Sequence, residues 1–177
     1  MQESSGRTRP DAGSALLDLY DEALPEVYGY LLARCGWQAL AEDLTAETFL
    51  SAVAACLGDR PPTPSTAWLV GIARHKLADH WRAAEREQRN LRSVDGGPTP
   101  VDDPWDERLD AMLAHEVLDA QSGTHRAVLT LRYLDGLPVP EVAQVLGRSV
   151  HATEALLVRA RTAFRRSYSI RGEGGPR

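Results

Sequence analysis

Between Leu131 and Arg166 the chain reads LRYLDGLPVPEVAQVLGRSVHATEALLVRARTAFRR, and its helix breakers leave little freedom in how it folds. Leu137 and Pro138 close a first turn, Pro140 suits the opening turn of a short helix, and Val142, Ala143 and Leu146 give that helix one apolar side. Gly147 stops it. Ser149 then offers a side-chain oxygen to cap a longer helix in which Val150, Thr153, Leu157, Ala160 and Phe164 recur at helical spacing. That face must be buried. The other side carries His151, Ala152, Glu154, Ala155, Arg159 and Arg161, with Arg148 at its entrance. A helix-turn-helix places its second helix in a DNA groove in this way. A plain helical hairpin with solvated arginines is the other reading of the same pattern.

The charge balance of the whole chain argues against nucleic acid, at −5 for 177 residues, until it is divided along the sequence. From Pro61 to Arg92 the bases Arg74, Lys76, Arg82, Arg86, Arg89 and Arg92 face Asp79, Glu85 and Glu87. From Arg148 onward, Arg148, Arg159, Arg161, Arg165, Arg166, Arg171 and Arg177 face only Glu154 and Glu173. Two basic blocks therefore stand apart, with acidic sequence between them. A length of 177 residues allows one mid-sized domain or two small ones, and a hydrophobic content of 43% with only 6% aromatic residues suits helical bundles, so an all-α fold is expected.

In chain order, residues 1–13 are polar and form a disordered lead-in. Ser14 caps a first helix with Leu16, Leu17, Tyr20 and Leu24 as its apolar stripe, Pro25 restarts it, and Gly36 ends it after Cys35. Trp37 to Leu40 is a connection. The next helix, Ala41 to Leu57, offers Leu44, Phe49, Val53 and Leu57 to a core and exposes Glu42, Asp43 and Glu47. After a break at Gly58 to Pro64, the helix Trp68 to Arg89 buries Leu69, Ile72, Ala73, Leu77 and Trp81 and leaves Arg74, His75, Asp79, His80 and Arg82 on its surface. Positive charge, rings and hydrogen-bonding groups together can hold phosphates and stack on unpaired bases. Trp68 and Trp81 as ordinary core residues remain the alternative.

Residues 93–107, rich in Gly, Pro and Asp, form a flexible acidic linker. Residues 108–168 make the second domain. Its helix Arg108 to Ala120 has Leu109, Leu113, Val117 and Leu118 apolar, its helix Thr124 to Leu134 buries Val128, Leu129 and Leu131, and residues 169–177 are a flexible tail. Cys35 and Cys56 sit among apolar neighbours and lack CxxC spacing, so they read as small buried thiols of a reducing compartment. No apolar run reaches membrane-spanning length and no secretory signal opens the chain, which points to a cytoplasmic protein without membrane insertion. His75 and His80 miss the HExxH spacing, and no phosphate loop, nucleophile elbow or catalytic carboxylate pair is present. No enzyme activity, cofactor or metal is expected.

Three segments carry a resemblance. AEDLTAETFLSAV, Ala41 to Val53, resembles the segment with which sigma factors of the sigma-70 family grip the clamp helices of RNA polymerase. WLVGIARHKLADHWR, Trp68 to Arg82, is similar to the adjoining helix that melts and reads the minus-ten promoter element, and the C-terminal stretch to the domain that reads the minus-thirty-five element. Their order is that of the smallest class, the extracytoplasmic-function (group IV) sigma factors, over roughly Leu16 to Tyr168.

The resemblance implies a sigma2-like helical bundle at 14–92 and a sigma4-like helix-turn-helix domain at 108–168. It assigns polymerase binding to Asp43, Leu44, Glu47, Thr48 and Phe49. Minus-ten DNA falls to Trp68, Arg74, His75, Lys76, Asp79 and Arg82, and minus-thirty-five DNA to Arg148, Ser149, His151, Ala152, Glu154, Ala155, Arg159 and Arg161. Asp102 and Asp103 of the linker would sit in a polymerase channel as phosphate mimics. The implied partners are the polymerase core, through its clamp helices and flap, promoter DNA of a stress- or development-related regulon, and an anti-sigma protein. Ala46 stands where the family commonly has Gln, His75 where Asn is frequent, and Glu154, Ala155 and Leu156 where Lys, Ser and Arg are usual. A stand-alone helix-turn-helix regulator acting without polymerase is the alternative function.

Overall fold

The computed structural model of the chain describes residues 11–91 and 111–173, with the side chains of 89–91 and 173 excepted. Among them it has seven α-helices and one π turn and no strand: α1 (Ala12–Cys35), α2 (Gln38–Cys56), α3 (Thr66–Leu91), α4 (Ala111–Asp119), α5 (Gly123–Leu129), the π turn (Thr130–Leu134), α6 (Val139–Leu146) and α7 (Val150–Glu173). The all-α expectation holds. The linker at 93–107 with Asp102 and Asp103, most of the lead-in and Leu109 lie outside the described residues. Two compact units divide at Leu77 and Ala78, inside α3.

In the first unit α1 and α2 pack side by side. Pro25 does not restart α1, which runs through it without interruption. The proline takes away the donor for the Asp21 carbonyl, but Asp21, Glu22 and Pro25 are all exposed, so water can replace the missing bond. Ser14 lies within the helix, and Asp11 occupies the cap position without a side-chain bond. The buried stripe is Leu16, Ala23, Val27, Leu31 and Cys35, not Leu16, Leu17, Tyr20 and Leu24. Leu16 and Leu17 are adjacent, so only one of them can lie on a single helical face, and Leu17 is 76% exposed.

α2 begins at Gln38, making helix of the expected connection. It buries Ala41, Leu44, Thr45, Thr48, Ala52 and Cys56. The Thr45 and Thr48 hydroxyls donate to the carbonyls of Ala41, at 2.6 Å, and Leu44, at 2.7 Å, so two polar groups enter the core with their bonds made. Both cysteines are free and buried. Burial first, and then the Asp11 carboxylate, push the Cys56 thiol above its ordinary range. The folded chain therefore holds this thiol neutral to higher pH than the unfolded one, and its contribution to stability is complete below the unfolded value and lost as pH rises past it. We expect maleimide at neutral pH to label Cys56 at a small fraction of the rate seen in denaturant, and equal rates by mass spectrometry would contradict its burial.

α3 starts two residues earlier than its apolar pattern, because the Ser65 hydroxyl accepts from the Trp68 backbone N–H at 3.2 Å and caps it. Leu69, Ala73, Leu77, Ala78 and Trp81 are buried, while Ile72 is half-buried.

The second unit comprises the rest of α3 and α4 to α7. Its core takes Val117 from α4, Val128, Leu129 and Leu131 from α5 and the π turn, Val142 and Leu146 from α6, and Leu157, Ala160 and Phe164 from α7. The helix expected to continue to Leu134 widens instead at Thr130, where Asp135 N–H bonds back five residues to the Thr130 carbonyl at 3.0 Å. Gly147, at φ 61°, ends α6 in the left-handed region, and Arg148 N–H returns to the Ala143 carbonyl at 2.9 Å. A side chain at 147 would strain that turn. α7 then runs on to Glu173, into the expected tail.

Candidate protein and nucleic-acid interfaces

α2 is apolar on two opposite sides. One side is the buried set above; the other is a stripe of Ala46, Phe49, Leu50, Val53 and Leu57, spaced by three and four residues along the helix and its C-cap. Leu50 is 69%, Val53 45% and Leu57 78% exposed, and Phe49 is half-buried. This corrects the sequence reading, which gave Phe49, Val53 and Leu57 to the core. The small buried set of Ala41, Thr45, Thr48 and Ala52 faces into the unit, where α1 packs against α2, and leaves the opposite side uncovered. The signal was present in the sequence as more apolar positions than one face can hold.

Asp43 and Glu47 are exposed beside this stripe, as expected. Leu44, at 3% exposure, and Thr48, at 0%, are not: they point into the domain, so a partner reaching this surface meets Asp43, Glu47 and Phe49 and not those two. Next to the stripe a groove of about 480 Å³ opens between α1 and α2, lined by Tyr20, Leu24, Pro25, Tyr28, Glu42, Thr45, Ala46 and Phe49. The Tyr20 and Phe49 rings meet edge to face at 4.9 Å and form part of its wall. The short Ala46 side chain leaves that part of the groove open.

On α3, Trp68, His75, Asp79 and Arg82 fall at offsets of seven, four and three residues and so share one face of the helix. His75 and Asp79 are exposed, and Trp68 and Arg82 half-buried. Asp79 and Arg82 form an ion pair, which lowers the cationic character of that face. Arg74 and Lys76 lie on its flanks. The Arg74 guanidinium sits 6.0 Å from the centre of the Tyr30 ring, and Lys76 Nζ is 3.5 Å from Glu47, one of the exposed carboxylates of α2. The structure thus brings four of the six sequence-assigned residues onto one strip and gives the other two to neighbours.

In the helix-turn-helix, Arg148, His151, Glu154 and Arg159 are exposed and Ala152, Ala155 and Arg161 half-buried. The Ser149 hydroxyl is engaged by the Ala152 N–H at 3.2 Å, so it serves as the cap of α7. Leu156, at 4% exposure, packs inward, and its place in a sequence pattern where Arg is usual brings no apolar contact to the outer face. Val150, expected inside, is 43% exposed at the first position of α7, ahead of the turn that packs on α6. Among the described residues no cluster of His, Cys, Asp and Glu could hold a metal ion, and no helix is long and apolar enough to cross a membrane.

Against known proteins, residues 19–87 match Sigma-70 region 2 and residues 122–164 match Sigma-70 region 4. The chain is 34% identical over 167 residues to the ECF RNA polymerase sigma factor BldN of Streptomyces coelicolor, an alignment covering 90% of this chain and 62% of that one. It is 34% identical over 152 residues to the ECF RNA polymerase sigma factor SigL of Mycobacterium tuberculosis, covering 83% and 84% of the two chains. The sigma factor RpoE of Bartonella quintana, solved in complex with the anti-sigma factor NepR, has a similar fold, with a TM-score of 0.53, 19% identity and coverage of 87% of this chain and 96% of that one.

Proposed function

The chain belongs to the sigma-70 family as an extracytoplasmic-function RNA polymerase sigma factor, and on that premise we propose a division of labour among its three surfaces. The outward stripe of α2, with Asp43, Glu47 and Phe49, docks on the polymerase clamp helices. The Trp68, His75, Asp79 and Arg82 strip of α3 takes unpaired bases of the minus-ten element. The exposed side of α7, entered at Arg148, reads the minus-thirty-five duplex through His151, Ala152, Glu154 and Ala155, with Arg159 and Arg161 on phosphates. The observation that carries this reading is the double-sided α2: an apolar stripe left uncovered by its own domain calls for a protein partner.

Sigma factors are DNA-binding initiation factors and not catalysts in general, and the chemistry here fits that role. Arginines supply salt-dependent attraction to phosphate, while the few side chains on base edges supply choice. Exposed Glu154 can accept from a cytosine amino group in the major groove, and it repels phosphate where a lysine would attract it. Work at polymerase and promoter places the protein in the cytoplasm. An anti-sigma protein would have to cover the same α2 stripe to keep it from polymerase.

Run-off transcription tests the assignment. Purified protein added to core polymerase is expected to give discrete transcripts from a cognate promoter and none without it. Equal transcripts with and without the protein would refute it, and tight duplex binding as a dimer without polymerase would favour the stand-alone regulator.

A further inference from the structure

The corner where α1 meets α2 holds an indole that the fold leaves outside. Gly36, at φ 67°, ends α1 in the left-handed region and returns its N–H to the Leu32 carbonyl at 2.9 Å. Trp37 follows in extended backbone just ahead of α2, and its carbonyl accepts from the Ala41 N–H at 3.0 Å and from the Cys35 thiol at 3.4 Å. Its main chain is therefore fixed, yet the residue is 66% exposed. A ring of that size left in water forfeits the large burial it could bring to a core.

At the same end of α1, two guanidiniums converge on one ring. Arg34, in the last turn, lies 3.8 Å from the centre of the Tyr30 ring, and its Nη1 donates to the Tyr30 carbonyl at 3.1 Å. Arg74, from α3, lies 6.0 Å from the same ring centre. A cation suits a helix C-terminus, which accounts for Arg34. It does not account for Arg74, whose like charge reaches that ring from another helix. Between Arg74 and the α3 strip lies Gly71, three residues from Arg74 and three from Trp68, and a Cβ there would meet no atom within 4 Å. The surface from the strip to the two arginines is thus open.

We propose that this corner is a further contact for single-stranded DNA: Trp37 stacks on a base, while Arg34 and Arg74, set by the Tyr30 ring, hold backbone phosphates. The inference rests on the assignment of the α3 strip to unpaired bases, and it carries the strand on from that strip toward α1. Rings beside fixed guanidiniums are what binding without sequence choice requires, since every base has a face to stack and every nucleotide a phosphate. The locked main chain of Trp37 lowers the cost of ordering its side chain against a base. Charge also separates this surface from the protein-docking one. The exposed carboxylates of Asp43 and Glu47 on α2 call for a basic partner, which Arg34 and Arg74 would repel. A polyanion is the partner that these two arginines attract.

The test uses the full chain and a fluorescein-labelled oligothymidylate of about 20 nucleotides, longer than one binding site of this kind. Trp37→Ser is expected to weaken binding about tenfold by anisotropy, the effect of one lost stack. Serine is favoured just ahead of a helix and every main-chain bond at this position stays, so the variant should melt no lower than the native chain. Arg34→Gln and Arg74→Gln should each flatten the slope of log affinity against log salt by about 0.7, the share of one phosphate on a single strand, and Arg34→Lys should restore it. Arginines that only staple α1 to α3 would lower the melting temperature and leave the salt slope alone. Unchanged oligonucleotide affinity in Trp37→Ser, an unchanged salt slope in both arginine variants, or a loss of core polymerase binding by Trp37→Ser in place of oligonucleotide binding overturns the proposal. Failure of the native chain to direct run-off transcription would instead count against the sigma-factor reading, and anisotropy would still report on the corner.

Discussion

Replacing Val53 and Leu57 together by glutamate is expected to weaken binding to core polymerase by about 100-fold or more, with the folded domain left intact. Both residues lie on the exposed side of α2, at 45% and 78% exposure, so the substitution leaves no cavity and buries no charge in the free protein. Against a partner the balance reverses. Each aliphatic side chain removed from water contributes ~1.5–3 kcal/mol, and two of them convert to roughly two to four powers of ten in affinity. Gel filtration of the variant with core polymerase, alongside a circular-dichroism melt, measures both halves. Retained co-elution at an unchanged melting temperature would remove the α2 stripe from the interface. The matched control is Thr48→Val, at a position 0% exposed: it should disturb stability by removing the hydroxyl bond to the Leu44 carbonyl and leave polymerase affinity as it was.

Loss of Trp68 and His75 together is expected to abolish promoter opening while duplex binding through α7 persists. Stacking on an aromatic side chain is worth ~1–3 kcal/mol per base, and two rings on one strip would therefore account for roughly a hundredfold or more in the fraction of melted complexes. His75 is exposed and its removal costs the fold little, whereas Trp68 is half-buried, so His75→Ala alone should show a smaller opening defect free of any stability change. Permanganate reactivity of unpaired thymines reads the opening. Lys76→Ala makes the contrast: Lys76 is off the strip and engaged by Glu47, and its removal should change opening by less than the His75 substitution. Equal defects in the two single variants would break the face-by-face assignment.

How far the sequence alone carried depended on whether a residue's surroundings are local. The α6 and α7 pair was legible almost to the residue, because Pro140, Gly147 and Ser149 act through main-chain geometry within one turn of themselves. The Trp68 to Trp81 periodicity was legible for the same reason. What failed was the choice between equally apolar positions on α1 and α2. Leu17, Val53 and Leu57 are as hydrophobic as the residues that are buried, and which side faces in is decided by how close two helices can come, with Ala23, Ala41 and Ala52 permitting the contact. Small residues carry that information, and a hydrophobicity pattern weights them least. The pairing of Arg82 with Leu146, 64 positions away, left no trace in any local pattern.

The uncovered side of α2 is narrow, about the width of one helix face, and that sets how the protein can be controlled. Two large proteins cannot share so small a foothold. On the proposed docking of polymerase to this side, whatever else seats itself there would evict it outright, so output would follow the surplus of this chain over its competitor: silent until the competitor is used up, then rising with every further copy made.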